Sequence, residues 1–146
     1  MPDQEPTPTG TLAERITHLF ETVHPSDRGP YSNPEAADAI NAQAGEHVLS
    51  ATYLWQLRTG KRDDPTHSRL TAIARFFGVG VDYFYDDETA RRTNEQLELA
   101  SALAVPLIAE LALAASGLSE PTLRSLLDMT RSARLIEGLD TGDSRA

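Results

Sequence analysis

The segment from Ser50 to Arg62, Ser-Ala-Thr-Tyr-Leu-Trp-Gln-Leu-Arg-Thr-Gly-Lys-Arg, restricts the fold of this chain more than any other. Leu54 and Leu57 are three residues apart and therefore share one face of a helix, which a core must cover. Ser50 is a suitable N-cap, and Gly60 can adopt the left-handed conformation that ends a helix. The pattern predicts a short helix that is packed on one side, polar on the other, and followed by a basic loop.

The polar side of this predicted helix carries groups that can contact nucleic-acid bases. It presents hydroxyl, amide and guanidinium groups, on Thr52, Tyr53, Gln56 and Arg58. A small helix of this kind, followed by Lys61 and Arg62 in a basic loop, suits the major groove of double-stranded DNA. The simpler alternative is an ordinary surface helix whose polar face is only solvated.

The net charge of −9 opposes DNA binding if it is taken over the whole chain, so its distribution matters. Residues 11–78 have a net charge of −1, from 7 basic and 8 acidic side chains, whereas residues 79–146 have −6, from 6 basic and 12 acidic. Salt screens phosphate attraction beyond about 10 Å, so local basic residues can still act. Asp63 and Asp64 follow those residues directly and should lower the affinity, which predicts modest binding per subunit.

Apolar spacing and capping signals predict five helices between residues 11 and 86, with no strand-like alternation of useful length. Four of these helices have predicted caps whose side chains can accept a backbone hydrogen bond: Thr11, Asn33, Ser50 and Thr66. The inward-facing residues predicted for the second, fourth and fifth helices are Ala37, Ile40, Leu70, Ile73, Ala74, Phe77, Val81, Tyr83 and Phe84. The predicted fold class is therefore all-α.

A second apolar pattern begins after residue 88 and continues to Leu139. Pro106 interrupts it and should kink or split the helix, and Gly117 should end that segment. Apolar faces this wide cannot bury each other alone, so they must dock on the first domain or meet a second subunit. We favour a homodimer. The residues predicted to form its interface are Leu103, Leu107, Leu111, Leu123, Leu126, Leu127 and Ile136.

The residue patterns do not indicate catalysis or cofactor binding. There is no cysteine, and the four histidines are scattered singly, without the spacing of a metal site. Nothing resembles a nucleophile elbow or a nucleotide-binding loop. We therefore predict a protein that is not an enzyme, with no catalytic residue, no metal, no cofactor and no evident small-molecule ligand.

The residues from Ser50 to Arg62, Pro65 and the segment Leu70-Thr-Ala-Ile-Ala-Arg-Phe-Phe-Gly-Val79 resemble the Cro/repressor-type helix-turn-helix domain of XRE family regulators. The similarity to regulators of this type is strong up to residue 88 and weaker from there to residue 140. It implies a DNA-binding transcriptional regulator that dimerises through C-terminal helices. It also implies a partly nucleoid-associated role, in which one dimer bridges distant DNA segments.

The same resemblance assigns roles to individual side chains. The residues that would face the groove are Ser50, Ala51, Thr52, Tyr53 and Gln56. Gln56 would pair with adenine, whereas Lys61 and Arg62 would contact phosphates. Arg28 and Arg58 are further candidates for the DNA backbone. Trp55 stands where a small serine is usual, and we expect it to be partly buried.

The predicted organisation comprises a disordered tail at residues 1–10, a helix-turn-helix domain at 11–88, dimerisation helices at 89–139 and a frayed tail at 140–146. No apolar run approaches the roughly 18–20 residues that span a bilayer, so we expect a cytoplasmic, nucleoid-bound protein without a membrane partner. Two alternatives stay open. One is a protein-interaction module, antitoxin-like or an adaptor, on the same scaffold. The other is a local repressor that responds to a ligand.

Overall fold

The computed structural model describes residues 10–139, which form seven α-helices and one 3-10 helix, with no strand in that range. The prediction of an all-α fold is confirmed. The helices are α1 (Leu12–Thr22), α2 (Asn33–Ala44), α3 (Ala51–Arg58), α4 (His67–Phe77), the 3-10 helix (Val81–Phe84), α5 (Asp87–Leu103), α6 (Pro106–Ala115) and α7 (Glu120–Ile136). The tails predicted at residues 1–10 and 140–146 lie outside the described residues, apart from residue 10 itself.

Side-chain caps begin most of the helices of the first half. The hydroxyl oxygens of Thr11, Ser50 and Thr66 accept hydrogen bonds from the backbone N–H three residues later, at 3.3, 3.1 and 3.4 Å, as predicted. The cap predicted for α2 is wrong by one residue. Ser32 caps that helix at 3.2 Å, because a serine one position earlier satisfies the same donors and places Asn33 inside the first turn.

The described chain divides into two compact units, the first ending at Ala104 and the second beginning at Val105. In the first unit, α3 packs against α1 and α2, and α4 packs against α2. Phe20 and Phe77 meet edge to face with their ring centroids 5.0 Å apart. The largest fully buried side chains of this core are Ile16, Leu19, Phe20, Ile40, Leu54, Leu57, Ile73 and Tyr83.

The first turns of α5 are bonded into that core. Arg15 is 6% exposed and donates a 3.0 Å hydrogen bond to the carbonyl oxygen of Phe84, and its guanidinium also pairs with the carboxylate of Asp87. The hydroxyl of Tyr83 donates to Oδ1 of Asn94 at 2.7 Å. These bonds satisfy the polar groups that α1 and the 3-10 helix bury, and they attach α5 to the first unit.

The second unit comprises α6 and α7, which contain no buried residue. The chain breaks between α5 and α6 at Pro106, which lies in the first turn of α6, so the interruption predicted there is a split. Gly117 follows α6 with a φ of +88°, a conformation that favours glycine. Within residues 10–139 no single helix is long and apolar enough to cross a membrane, and only α5 and α6 taken together meet that test.

Candidate nucleic-acid interface

The α3 helix is held in the first unit by its buried leucines and by the turn that precedes it. Leu54 and Leu57 are fully buried, as the sequence predicts. The side chain of Asn41 fixes the turn before α3, because its Oδ1 accepts from the N–H groups of Val48 and Leu49 at 2.8 and 3.1 Å. Its Nδ2 donates to the carbonyl oxygen of Leu49 at 2.8 Å. Asn41 is not among the residues predicted from the sequence, although an asparagine near a predicted helix end is a possible signal for such a turn.

The predicted base-reading residues occupy different depths on α3. Ser50 is exposed at the N-cap, and Thr52 is exposed two residues further along the chain. Ala51 and Tyr53 are half-buried and pack against the core cluster. Gln56 is also half-buried, at the C-terminal end of the same helix. The predicted set therefore combines fully accessible groups with groups that also contribute to packing.

Gln56 and Arg62 are joined by two hydrogen bonds. The side-chain Nε of Arg62 donates to Oε1 of Gln56 at 2.8 Å, and the backbone N–H of Arg62 donates to the carbonyl oxygen of Gln56 at 3.1 Å. The chain returns to Gln56 after the turn at Gly60, whose φ of +78° is the left-handed conformation predicted for it. A predicted base-reading group and a predicted phosphate-binding group are therefore in direct contact.

Aromatic rings lie beneath the cations of this surface. The guanidinium carbons of Arg62 and Arg69 lie 5.5 and 4.6 Å from the ring centroid of Tyr53. The Nζ of Lys61 lies 4.4 Å from the ring of Trp55, which keeps 43% of its surface exposed. Such contacts keep the positive charges beside α3 without pairing them with a carboxylate. Arg69 was not predicted, since only the packing of α4 brings it to Tyr53.

Arg58 and Arg28 have other partners within the first unit. Arg58 donates from Nη1 to Oδ1 of Asn33 at 2.8 Å, and its guanidinium carbon lies 4.1 Å from the ring centroid of Phe20. Burial lowers the pKa of the Arg58 guanidinium, and the charge of Glu21 opposes that shift. Arg28, in the loop after α1, forms an ion pair with Glu35 at 2.6 Å.

The residues predicted for pairing of two chains are all exposed. Their exposed fractions run from 37% at Leu126 to 86% at Ile136. The other members of this set are Leu103, Leu107, Leu111, Leu123 and Leu127. A chain that leaves so many large apolar side chains exposed presents a surface typical of an interaction site.

No protein-family model matches the sequence. Over 130 residues the chain is 34% identical to the nucleoid-associated protein EspR of Mycobacterium tuberculosis strain H37Rv, and equally to the protein of that name in strain CDC 1551 / Oshkosh. The matched region covers 89% of this chain and 97% of each relative, so both compact units take part in the similarity.

Proposed function

This chain belongs to the family of the nucleoid-associated protein EspR, and on that premise we propose that it is a DNA-binding regulator whose α3 enters the major groove. The observation that carries the proposal is the polarity of α3. Its buried leucines fix it to the core, Thr52 is exposed, Gln56 is half-buried and bonded to Arg62, and two cations follow at its C-terminal end. This arrangement suits a helix that reads base edges between phosphate contacts.

In the proposed complex the side chains divide their roles by chemistry. Gln56 pairs with an adenine through its amide, and Thr52 contacts a base or a thymine methyl, each good pair contributing about 1–3 kcal/mol of discrimination. Lys61 and Arg62 bind phosphates and thereby position α3 without reading sequence. The contacts of Arg58 within the domain favour a structural role over the backbone contact also considered for it.

We further propose that two chains pair through their C-terminal helices. A single basic cluster beside Asp63 and Asp64, in a chain of net charge −9, would bind DNA weakly. Two linked copies would bind far more tightly, because the second contact forms at a high effective concentration. If the two α3 helices contact separate duplexes, the same dimer bridges DNA segments, which suits a nucleoid-associated role in the cytoplasm.

The deciding experiment is a titration of fluorescently labelled duplex DNA with the full-length protein over a series of salt concentrations. DNA binding predicts that the logarithm of the affinity falls linearly with the logarithm of salt concentration, with a slope of about −0.9 per neutralised phosphate. A double variant, Lys61→Ala with Arg62→Ala, should flatten that slope. The overall negative charge favours one competitor, a protein-interaction module. A protein-interaction module should show no salt-dependent affinity for DNA. That result would refute the proposal of DNA binding.

A further inference from the structure

The contact between Gln56 and Arg62 restricts the orientation of the Gln56 amide. The terminal torsion of a glutamine side chain is broad and roughly two-fold, so an unrestrained amide exposes either its oxygen or its nitrogen to the same neighbour. Here Oε1 accepts from Nε of Arg62 at 2.8 Å. The flipped amide would set its NH2 group against the same N–H donor, which is unfavourable. Arg62 therefore selects one of the two orientations.

We propose that Arg62 is a positioning residue for base reading, which holds the Gln56 amide in a single orientation before DNA arrives. This inference rests on the proposed DNA-binding function and names a residue that sets its specificity. The bond uses one lone pair of Oε1 and leaves the second for a base donor, while Nε2 keeps both of its N–H groups. Both atoms needed for a bidentate pair with adenine are thus already oriented.

The same arginine can bind a phosphate while it holds the amide. Only its Nε–H is used by the bond to Gln56, and the four N–H groups on Nη1 and Nη2 are not used by it. A phosphate contact would restrict the guanidinium further and therefore restrict the amide as well. The ring of Tyr53, 5.5 Å from the guanidinium carbon, and the backbone bond from Arg62 to Gln56 hold the side chain near this position. Phosphate binding and base reading are thus linked through one side chain.

Arginine is required for this role because of where its Nε lies. Lysine keeps the positive charge but has a methylene at the position of Nε, and its ammonium lies one atom further along a flexible stem. Arg62→Lys therefore removes the donor to Gln56 and retains the attraction to phosphate. The matched control is Lys61→Arg, which exchanges the same two residue types at the adjacent position over the ring of Trp55.

The first measurement uses the free full-length protein. In a 15N-1H correlation spectrum, the side-chain amide pair of Gln56 should be displaced from that of the exposed Gln43. Arg62→Lys should move the Gln56 pair to the position of an unrestrained glutamine, whereas Lys61→Arg should leave it unchanged. A Gln56 amide that does not respond to Arg62→Lys would overturn the inference, whatever the protein does with DNA.

The second measurement uses duplexes selected from a random library by the wild-type protein. Arg62→Lys should reduce discrimination at the base pair that Gln56 reads by roughly tenfold. The slope of log affinity against log salt concentration should be unchanged. In a Gln56→Ala background the same substitution should have no further effect on discrimination. Retained discrimination in Arg62→Lys would overturn the inference.

The two arms separate the possible failures. A wild-type protein that binds all duplexes alike, with a normal salt dependence, would overturn the positioning role of Arg62 and leave DNA binding standing. A wild-type protein without salt-dependent affinity for duplex DNA would overturn the proposed function and the base-reading role with it. The amide spectrum would still show whether Arg62 orients Gln56.

Discussion

Arg58 and Asn33, 25 positions apart in the sequence, are joined by a 2.8 Å hydrogen bond from Nη1 to Oδ1. The bond links the end of α3 to the first turn of α2. The guanidinium also lies over the ring of Phe20, which is fully buried in α1. One side chain therefore connects the three helices that determine where α3 is presented. The guanidinium of Arg58 therefore contributes to the fold of the domain as well as to its surface charge.

We accordingly expect Arg58→Ala to destabilise the protein. The change removes a hydrogen bond from a charged donor and a contact between a cation and a ring, which together are worth about 2 kcal/mol. Urea denaturation followed by circular dichroism measures the change in the free energy of unfolding. Lys61→Ala is the control, because it removes only an exposed contact between a cation and the ring of Trp55, worth less than about 1 kcal/mol. Equal effects of the two variants would argue against a structural role for Arg58.

The positions of the helices could be predicted because their signals are local. Buried leucines at helical spacing, side-chain caps and glycines with positive φ each act within one or two turns, and Gly45, Gly60 and Gly78 all adopt that conformation. The cap of α2 was misplaced because serine and asparagine are about equally good caps. Propensity alone could not choose between Ser32 and Asn33.

The partners of the long polar side chains could not be predicted in the same way. Arg58 reaches Asn33 and Phe20 only because α1, α2 and α3 pack together, and no spacing in the sequence expresses that contact. Arg69 reaches the ring of Tyr53 for the same reason. The bond from Arg62 to Gln56 depends on how closely the chain turns back after α3. Side-chain roles at the candidate interface thus depend on tertiary packing, which a single sequence does not display.

Substitutions at Gln56 and Lys61 should distinguish sequence-specific base contacts from general affinity for DNA. We expect Gln56→Ala to weaken binding to preferred duplexes by about 1–3 kcal/mol, because it removes base contacts. Binding to random duplexes should weaken much less. Lys61→Ala should weaken binding to preferred and random duplexes equally, because it removes a phosphate contact. It should also reduce the slope of log affinity against log salt concentration by about 1. Competition binding with selected and random duplexes measures both effects. Parallel losses on every duplex for both variants would show that these roles are assigned wrongly.

Asp63 and Asp64 should limit the affinity of the basic loop for DNA. Both are exposed and directly follow Lys61 and Arg62. Replacing both with asparagine should raise the affinity by about two- to fivefold near 0.1 M salt, and the gain should shrink as salt screens the charges. Asp128→Asn with Glu137→Gln changes the net charge equally in the second unit and should have a smaller effect. The prediction fails if the two double variants behave alike.

Tyr83 should make the protein less stable at alkaline pH. Burial raises the pKa of its phenol, although the hydrogen bond to Asn94 and the charge of Arg15 oppose that shift. Between the unfolded value of about 10 and the raised folded value, the unfolded chain loses this proton while the folded protein keeps it. The unfolded state then binds fewer protons, so the free energy of unfolding falls as pH rises.

Tyr83→Phe should lower stability at pH 7 by about 1 kcal/mol, because it removes the bond to Asn94, and should flatten the decline above pH 10. Tyr85→Phe, at a site 58% exposed, is the control and should leave the decline unchanged. Urea denaturation at pH 7 to 11 measures both. An unaltered slope in Tyr83→Phe would contradict the assignment.

Pairing of two chains should depend on the apolar residues of α6 and α7. We expect Leu107→Glu or Leu127→Glu to give monomers, because each places a charge where a partner would have to bury it. Ser125→Glu is the matched control, since this exposed residue lies on the side of α7 opposite Leu123, Leu126 and Leu127. Light scattering reports the oligomeric state. The monomeric variants should also bind DNA about a hundredfold more weakly, through loss of the second contact.

Truncation tests the same assembly without a new charge, and the structure indicates where to cut. Ending the chain near residue 88 would remove Ala90, which is fully buried, and Asn94, which bonds Tyr83. Ending it after Ala104 retains all of α5 and the whole first unit. We therefore expect residues 1–104 to fold, to be monomeric, and to show weak DNA binding whose salt dependence matches one α3 helix. A folded dimer of this fragment would show that pairing does not require α6 and α7, and that the first unit, which includes α5, supplies the contact.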